Sequence, residues 1–177
     1  MYDLFQKLKY RNIILTGLAV IVLLDLTYTT RQQTRYWRNT LTLFYHATEA
    51  TENNWLAHYE CGVEFFARER FHEALYHFEE TLRISPKYFD ALTQAGLTLI
   101  KLGRYEESLK YFQKVLQIDP NVAQAYSYMG LSLAKLGRYE EALRYFEEAV
   151  RINPEYSEAL ENAEKIRRKL KKQEGTY

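Results

Sequence analysis

The 177 residues are enough for one ordinary domain or a short array of repeats. Lys and Arg (24) nearly balance Asp and Glu (23), and the net charge of +1 excludes the basic footprint of a nucleic-acid-binding protein. The single cysteine, Cys61, excludes an internal disulfide, and we expect it to pack in the core.

The first 30 residues predict a basic flank followed by a transmembrane helix. Residues 12–30 carry no charge except Asp25, and this length is close to the roughly 20 residues that a spanning helix needs. A cleaved signal peptide is disfavoured because no small-x-small site follows the apolar run. A buried core helix is the other alternative, since Gly17 and two threonines interrupt the run. We expect residues 13–28 to contact the membrane as a single span, which three basic residues on each side leave without a preferred orientation.

Residues 31–52 predict a connecting helix that is a degenerate half repeat. Aromatic and apolar residues recur there at helical spacing. When the chain is shifted by 34 positions, Phe44 falls on Phe78. The pair Asn53-Asn54 marks the boundary with the segment that follows.

Three prolines, Pro86, Pro120 and Pro154, lie 34 residues apart, and residues 102–112 recur almost unchanged as residues 136–146. Residues 53–156 therefore predict three helical hairpins, in units 55–88, 89–122 and 123–156.

Each unit has small residues and a phenylalanine at fixed places. Glycines let the paired helix approach closely, alanine or serine does the same from the second helix, and phenylalanine fills the gap to the next unit. These sets are Gly62, Gly96 and Gly130; Ala74, Ser108 and Ala142; and Phe78, Phe112 and Phe146. Gly103 and Gly137 lie where the first helix stops, whereas the first unit has Glu69 there, so we expect its turn to be slightly strained or differently built.

This pattern resembles the tetratricopeptide repeat family. The resemblance implies an all-α solenoid of antiparallel helix hairpins, here preceded by the transmembrane helix. Residues 157–177 predict a capping helix and tail, with Leu160, Ala163, Ile166 and Leu170 on one side. The basic run over residues 167–172 reads as a solvated cap face, with an anion-binding patch as the alternative.

The sequence predicts no catalysis. None of the four histidines is paired at the i, i+4 spacing of a helical metal site, and no glycine-rich phosphate loop or nucleophile elbow is present. We expect no enzyme activity, cofactor, metal or small-molecule substrate, and no nucleic-acid partner.

The resemblance implies that the first helices line a concave groove that binds a partner protein. The expected contact residues are Leu56, Tyr59, Glu60, Val63, Asp90, Thr93, Gln94, Leu97, Gln124, Ser127, Tyr128 and Leu131. Repeats that hold chaperone C-terminal carboxylates use Lys, Arg and Asn at such places, and this chain lacks them. The asparagine ladder of the sugar-transferase repeats is also missing. We expect an extended peptide or a helix as ligand; the alternative is that Tyr59, Phe66 and Tyr128 only pack between units.

Residues 31–44 and 53–59, placed after an apolar helix, resemble the C-terminal end of polytopic O-mannosyltransferase-like membrane glycosyltransferases. This resemblance implies repeats on the extracytoplasmic side and carries over no catalytic residue. The two functions considered are a membrane-anchored interaction module and, alternatively, the accessory region of such a glycosyltransferase.

Overall fold

The computed structural model describes residues 21–28 and 40–174. The chain divides into two compact units, Met1–His46 and Ala47–Tyr177. In the first unit, residues 21–28 are helical and their large apolar side chains are exposed. The rest of the predicted span, over residues 13–20, lies outside the described residues. No helix within the described ranges is both long and apolar enough to cross a membrane.

The regular structure of the described residues is helical, and three helix pairs follow one another in the second unit. The helices are α1 (Thr40–Ala50), α2 (Trp55–Ala67), α3 (Phe71–Ile84), α4 (Phe89–Lys101), α5 (Tyr105–Ile118), α6 (Ala123–Lys135), α7 (Tyr139–Ile152) and α8 (Ser157–Glu174). Helix α2 begins after Asn54, whose side chain accepts a hydrogen bond from the Ala57 amide at 3.0 Å. The predicted all-helical solenoid of hairpins is confirmed.

The first helices of the hairpins lie on the inner side of the stack. From α2 to α8 each helix packs against the next, and α2 also contacts α4, α4 contacts α6, and α6 contacts α8. Within the described unit, the second helices α3, α5 and α7 make no such contacts with one another. Because the first helices lie closer together than the second helices, the concave face belongs to α2, α4, α6 and α8.

A glycine and a phenylalanine lock each hairpin together. A Cβ atom added at Gly96 would lie 2.7 Å from the Phe112 ring, and equivalent atoms at Gly62 and Gly130 would lie 2.6 Å and 2.9 Å from the phenylalanines of their own hairpins. Only glycine permits this approach, as the sequence predicted. The buried Phe112 ring also packs with Ala125 and Met129 of the following hairpin, so it joins two units.

The turn inside each hairpin needs a left-handed residue. Gly103 and Gly137 have φ angles of +75° and +80°, and the amide that follows each glycine donates to a carbonyl five residues earlier, as in Arg104 N–H to Leu99 O at 2.9 Å. Glu69 has φ +59°, and the Arg70 amide that follows it likewise donates to the Phe65 carbonyl, five residues earlier, at 2.9 Å. The first turn therefore has the same construction as the others, with a side chain in a conformation that favours glycine.

Replacing Glu69 by glycine should raise the free energy of unfolding by about 0.5–1 kcal/mol, since the left-handed penalty of an L-residue exceeds the extra chain entropy of glycine. Urea unfolding followed by circular dichroism measures this. Gly103→Ala is the matched control and should lose about 1 kcal/mol for the same reason. A Glu69→Gly protein less stable than the wild type would contradict the strain.

The capping helix α8 packs with most of the side that the sequence predicted. Ala163, Ile166 and Leu170 contact the core of the third hairpin. Leu160 is 41% exposed, and the neighbouring Ala159 is buried in its place. In the basic run, Arg167 pairs with Glu147 at 2.8 Å and Arg168 with Glu164 at 3.2 Å. Lys169 lies 4.0 Å from the centre of the Tyr139 ring. These three cations have partners within the array, which fits a solvated cap face.

Candidate functional site

The concave face repeats the same positions on α2, α4 and α6, because the three helices are equivalent parts of successive hairpins. Four rows of predicted contact residues follow from this register: Leu56, Asp90 and Gln124; Tyr59, Thr93 and Ser127; Glu60, Gln94 and Tyr128; Val63, Leu97 and Leu131. Their exposure and their contacts differ along the face.

Three aromatic rings meet at the α2 end of this face, and we call Trp55, Tyr59 and Tyr88 the aromatic cluster. The ring centres of Trp55 and Tyr88 are 4.8 Å apart, and those of Tyr59 and Tyr88 are 5.0 Å apart in an edge-to-face arrangement. Tyr59 also rests on the buried Phe78 ring at 5.9 Å. Tyr59 and Tyr88 are half-buried and Trp55 is 37% exposed, so the cluster packs below and meets solvent above.

Burial and two carboxylates, Glu60 and Asp90, raise the pKa values of the two tyrosines of the aromatic cluster. Burial, followed by the negative charges of Asp90 and Glu60, raises the pKa of Tyr59 to about 12. Burial is again the first cause, ahead of Asp90, of the raised pKa of Tyr88. Both phenols therefore stay protonated and can donate hydrogen bonds at neutral pH.

The α4 and α6 part of the face is more neutral. The Gln124 amide donates to the Tyr128 hydroxyl at 2.9 Å, and the Thr93 hydroxyl donates to the Phe89 carbonyl of its own helix at 3.1 Å. Leu97 and Leu131 are half-buried against the cores of their hairpins. Ser127 is only 2% exposed, so it presents little surface to a partner. That these residues contact a partner stays a prediction.

Tyr59 and Tyr128 both pack and reach solvent. The Tyr128 ring lies 5.3 Å from that of Phe112 in the preceding hairpin, while its hydroxyl is held by Gln124 at the surface. Tyr128 therefore packs between units, as the alternative offered by the sequence expected, whereas Tyr59 packs on Phe78 of its own hairpin.

Comparison with known proteins gives the repeat its family. Residues 87–155 match the family model described as tetratricopeptide repeat. These residues form tetratricopeptide repeats. No curated protein sequence matches the chain.

Solved structures of tetratricopeptide repeat proteins share the fold at low sequence identity. The first repeat domain of Spaghetti (RPAP3), bound to the HSP90 peptide SRMEEVD, is 20% identical with a TM-score of 0.63, covering 68% of this chain and 95% of that one. The second repeat domain of human RPAP3, in complex with the HSP70 peptide SGPTIEEVD, is 21% identical with a TM-score of 0.57, covering 60% and 88%. MamA of Desulfovibrio magneticus RS-1 is 19% identical with a TM-score of 0.65, covering 82% and 90%. The structures named here are not glycosyltransferases, and the matching family model is not that of a catalytic family.

The packing of the first hairpin also brings together two histidines whose contact the sequence did not predict. The Nδ1 atoms of His58 on α2 and His77 on α3 are 3.1 Å apart, and the His77 ring stacks on Phe65 at 5.2 Å. The equivalent residues of the third tetratricopeptide repeat are Tyr126 and Tyr145. Their rings are also in contact, with centres 6.2 Å apart. The repeat register is the signal in the sequence for this contact, because the two positions meet in both the first and the third hairpin.

The thiol of Cys61 is buried inside the first hairpin. Burial raises the pKa of the Cys61 thiol to about 12, and the side chain is fully buried, which confirms its packing role. Within residues 21–28 and 40–174, no three His, Cys, Asp or Glu side chains are grouped to hold a metal ion.

Proposed function

We propose that the tetratricopeptide repeats are a protein-interaction module that holds an extended peptide or a helix of a partner against the concave face. The observation that carries the proposal is the pair of half-buried tyrosines of the concave face, Tyr59 on α2 and Tyr128 on α6, whose rings pack on buried phenylalanines. Such side chains combine apolar area with a hydrogen-bonding edge and lose little entropy on binding. Support comes from the two RPAP3 domains, which share the fold and are described with bound HSP90 and HSP70 peptides.

The charge of the face argues for a ligand different from those peptides. The predicted contact residues include Glu60 and Asp90 and no lysine or arginine. An acidic segment such as EEVD would meet like charge at the α2 end, and like-charge juxtaposition is unfavourable. A neutral or basic peptide is the class that fits.

Selection from a synthetic peptide library tests the module. The immobilised full chain should retain a defined set of peptides, and Tyr59→Ala with Tyr128→Ala should lose it because two anchoring rings are removed. Tyr76→Ala is the matched control, since Tyr76 is 58% exposed and lies on the second helix α3. Retention of the same peptides by the double variant and the wild type would contradict the proposal.

Tethering to a membrane through residues 13–28, with the repeats outside the cytoplasm, is a further part of the proposal. It is supported by the apolar composition of that run and by the exposed apolar side chains of residues 21–28. A reporter that is active only outside the cytoplasm, fused after Tyr177, tests it. An inactive reporter on membrane-bound protein would contradict the extracytoplasmic placement.

The alternative is an accessory region of an O-mannosyltransferase-like membrane glycosyltransferase, which would present acceptor proteins to a catalytic part elsewhere. It is supported only by the sequence of the join between the apolar run and the repeats, where residues 29–39 lie outside the described residues. A neighbouring reading frame that encodes a many-span protein without repeats would favour this alternative.

A further inference from the structure

The α2 end of the concave face carries three aromatic rings in mutual contact. Trp55 and Tyr59 are one helical turn apart on α2, and Tyr88 reaches them from the residue that precedes α4. The planes of Tyr59 and Tyr88 are inclined by 83°, and those of Trp55 and Tyr88 by 59°. The three rings therefore pack on one another, and the exposed face of an indole or phenol ring attracts a cation.

The carboxylates at the same place have no cationic partner among residues 21–28 and 40–174. None of the ion pairs among the described residues includes Glu60 or Asp90. Both carboxylates are nevertheless close enough to affect Tyr59 and Tyr88 electrostatically. The position therefore combines negative charge with partly buried aromatic rings.

We propose that the aromatic cluster, together with Glu60 and Asp90, is a subsite for the arginine or lysine side chain of the bound peptide. This inference rests on the proposed peptide-binding function and names the chemistry of one ligand residue. The alkyl stem of the side chain would lie against Trp55 and Tyr59 while its charged head pairs with the carboxylates, since long basic side chains combine both contacts.

The two ends of the concave face differ in negative charge. At the middle of the face, the positions equivalent to Glu60 and Asp90 carry the neutral Gln94 and Gln124. At the α8 end, Tyr128 and Tyr156 have the single carboxylate of Glu158 beside them. The α2 end therefore offers two carboxylates beside three rings, and it is the more negative place for the basic residue of a peptide.

The test uses a library of nine-residue peptides with all amino acids at each position and the full-length protein. The wild type should enrich arginine or lysine at one position of the retained peptides. The double variant Glu60→Gln, Asp90→Asn should retain peptides without that preference. The control Glu106→Gln, Glu140→Gln makes the same change in net charge at exposed residues of the second helices, and it should keep the preference.

Each outcome has a distinct meaning. Loss of the basic preference only in the Glu60→Gln, Asp90→Asn variant supports the subsite. Retained peptides without any basic preference in the wild type overturn the subsite and leave the groove function standing. If the wild type retains no more peptide than the Tyr59→Ala, Tyr128→Ala variant, the proposed function fails and the subsite falls with it.

A titration confirms the contact with a retained peptide of known sequence. Replacing its basic residue by glutamine should raise the Kd about tenfold for the wild type, as expected for loss of a partly desolvated cation–π and ion-pair contact. The same replacement should change the Kd less than about twofold for the Glu60→Gln, Asp90→Asn variant, because the two changes remove one interaction. Equal effects on both proteins would overturn the subsite.

Discussion

Replacing Phe112 by alanine should lower the free energy of unfolding by about 3–5 kcal/mol, the range measured for phenylalanine in well-packed cores. The ring is fully buried, packs with Ala125 and Met129 of the next hairpin, and fills the space opposite Gly96. Its loss therefore leaves a cavity at the junction of two hairpins, which neither can close alone. Urea unfolding of the purified protein measures the change.

The matched control is Phe66→Ala. Phe66 is half-buried and touches Phe71 with ring centres 5.4 Å apart, so its removal should cost only about 1–2 kcal/mol of buried apolar area. Equal losses for the two variants would show that Phe112 does not join the hairpins as its packing implies.

The contact with Gly96 can be isolated by a double-mutant cycle. Gly96→Ala should destabilise the wild type, because the new Cβ would lie 2.7 Å from the buried Phe112 ring. In a Phe112→Leu background the same change should cost less by about 1 kcal/mol or more, since leucine leaves room and alanine favours the helix. An identical cost in both backgrounds would place the strain elsewhere.

Stability should fall by about 2–3 kcal/mol as the pH decreases from 6.5 to 4, because His77 resists protonation in the folded protein. Burial first, and then the neighbouring His58, lower the pKa of His77 to about 4. The pKa of His58 is also lowered, chiefly by burial. In the unfolded chain the His77 imidazole binds a proton below about pH 6.5. In the folded protein it binds one only below about pH 4. The stabilisation is therefore fully present above pH 6.5 and is lost as the pH falls.

The charged groups around the pair set the controls for this prediction. Glu80 raises the pKa of both histidines and Arg83 lowers that of His58, but both effects are smaller than burial. His77→Leu should remove most of the slope between pH 6.5 and 5, while His72→Gln, at an exposed position of the same helix, should retain it. A wild type and a His77→Leu variant with parallel pH profiles would contradict the assignment.

The hairpins could be predicted because their determinants are local and repeated. Proline spacing gives the period, and each glycine has a phenylalanine at a fixed distance along the chain. The turn at Glu69 shows the limit of the same reasoning: the sequence left open whether the turn would be strained or rebuilt. Its identical hydrogen bonds decide for strain, because the hairpin packing on both sides fixes the backbone.

The candidate site could be predicted only in part, since contact rows follow from the repeat but exposure does not. Ser127 occupies a contact row and is nevertheless buried. Tyr88 was not among the predicted contacts, because it precedes α4 instead of lying in the helix, although its ring completes the aromatic cluster. The His58–His77 contact depends on which faces of α2 and α3 meet, and helix spacing within one element does not contain that information.

Among the described residues, each hairpin packs with the units directly before and after it in the array, and the third hairpin packs with the second and with α8. The array therefore resembles a one-dimensional chain of cooperative units. Opening of the first hairpin breaks one interface, whereas opening of the second or third breaks two. A peptide lying along α2, α4 and α6 would connect the first and third hairpins, which share only the second as an intermediate. Occupancy of the concave face would therefore appear as sharper, more concerted unfolding of all three hairpins in addition to the mass-action gain in stability.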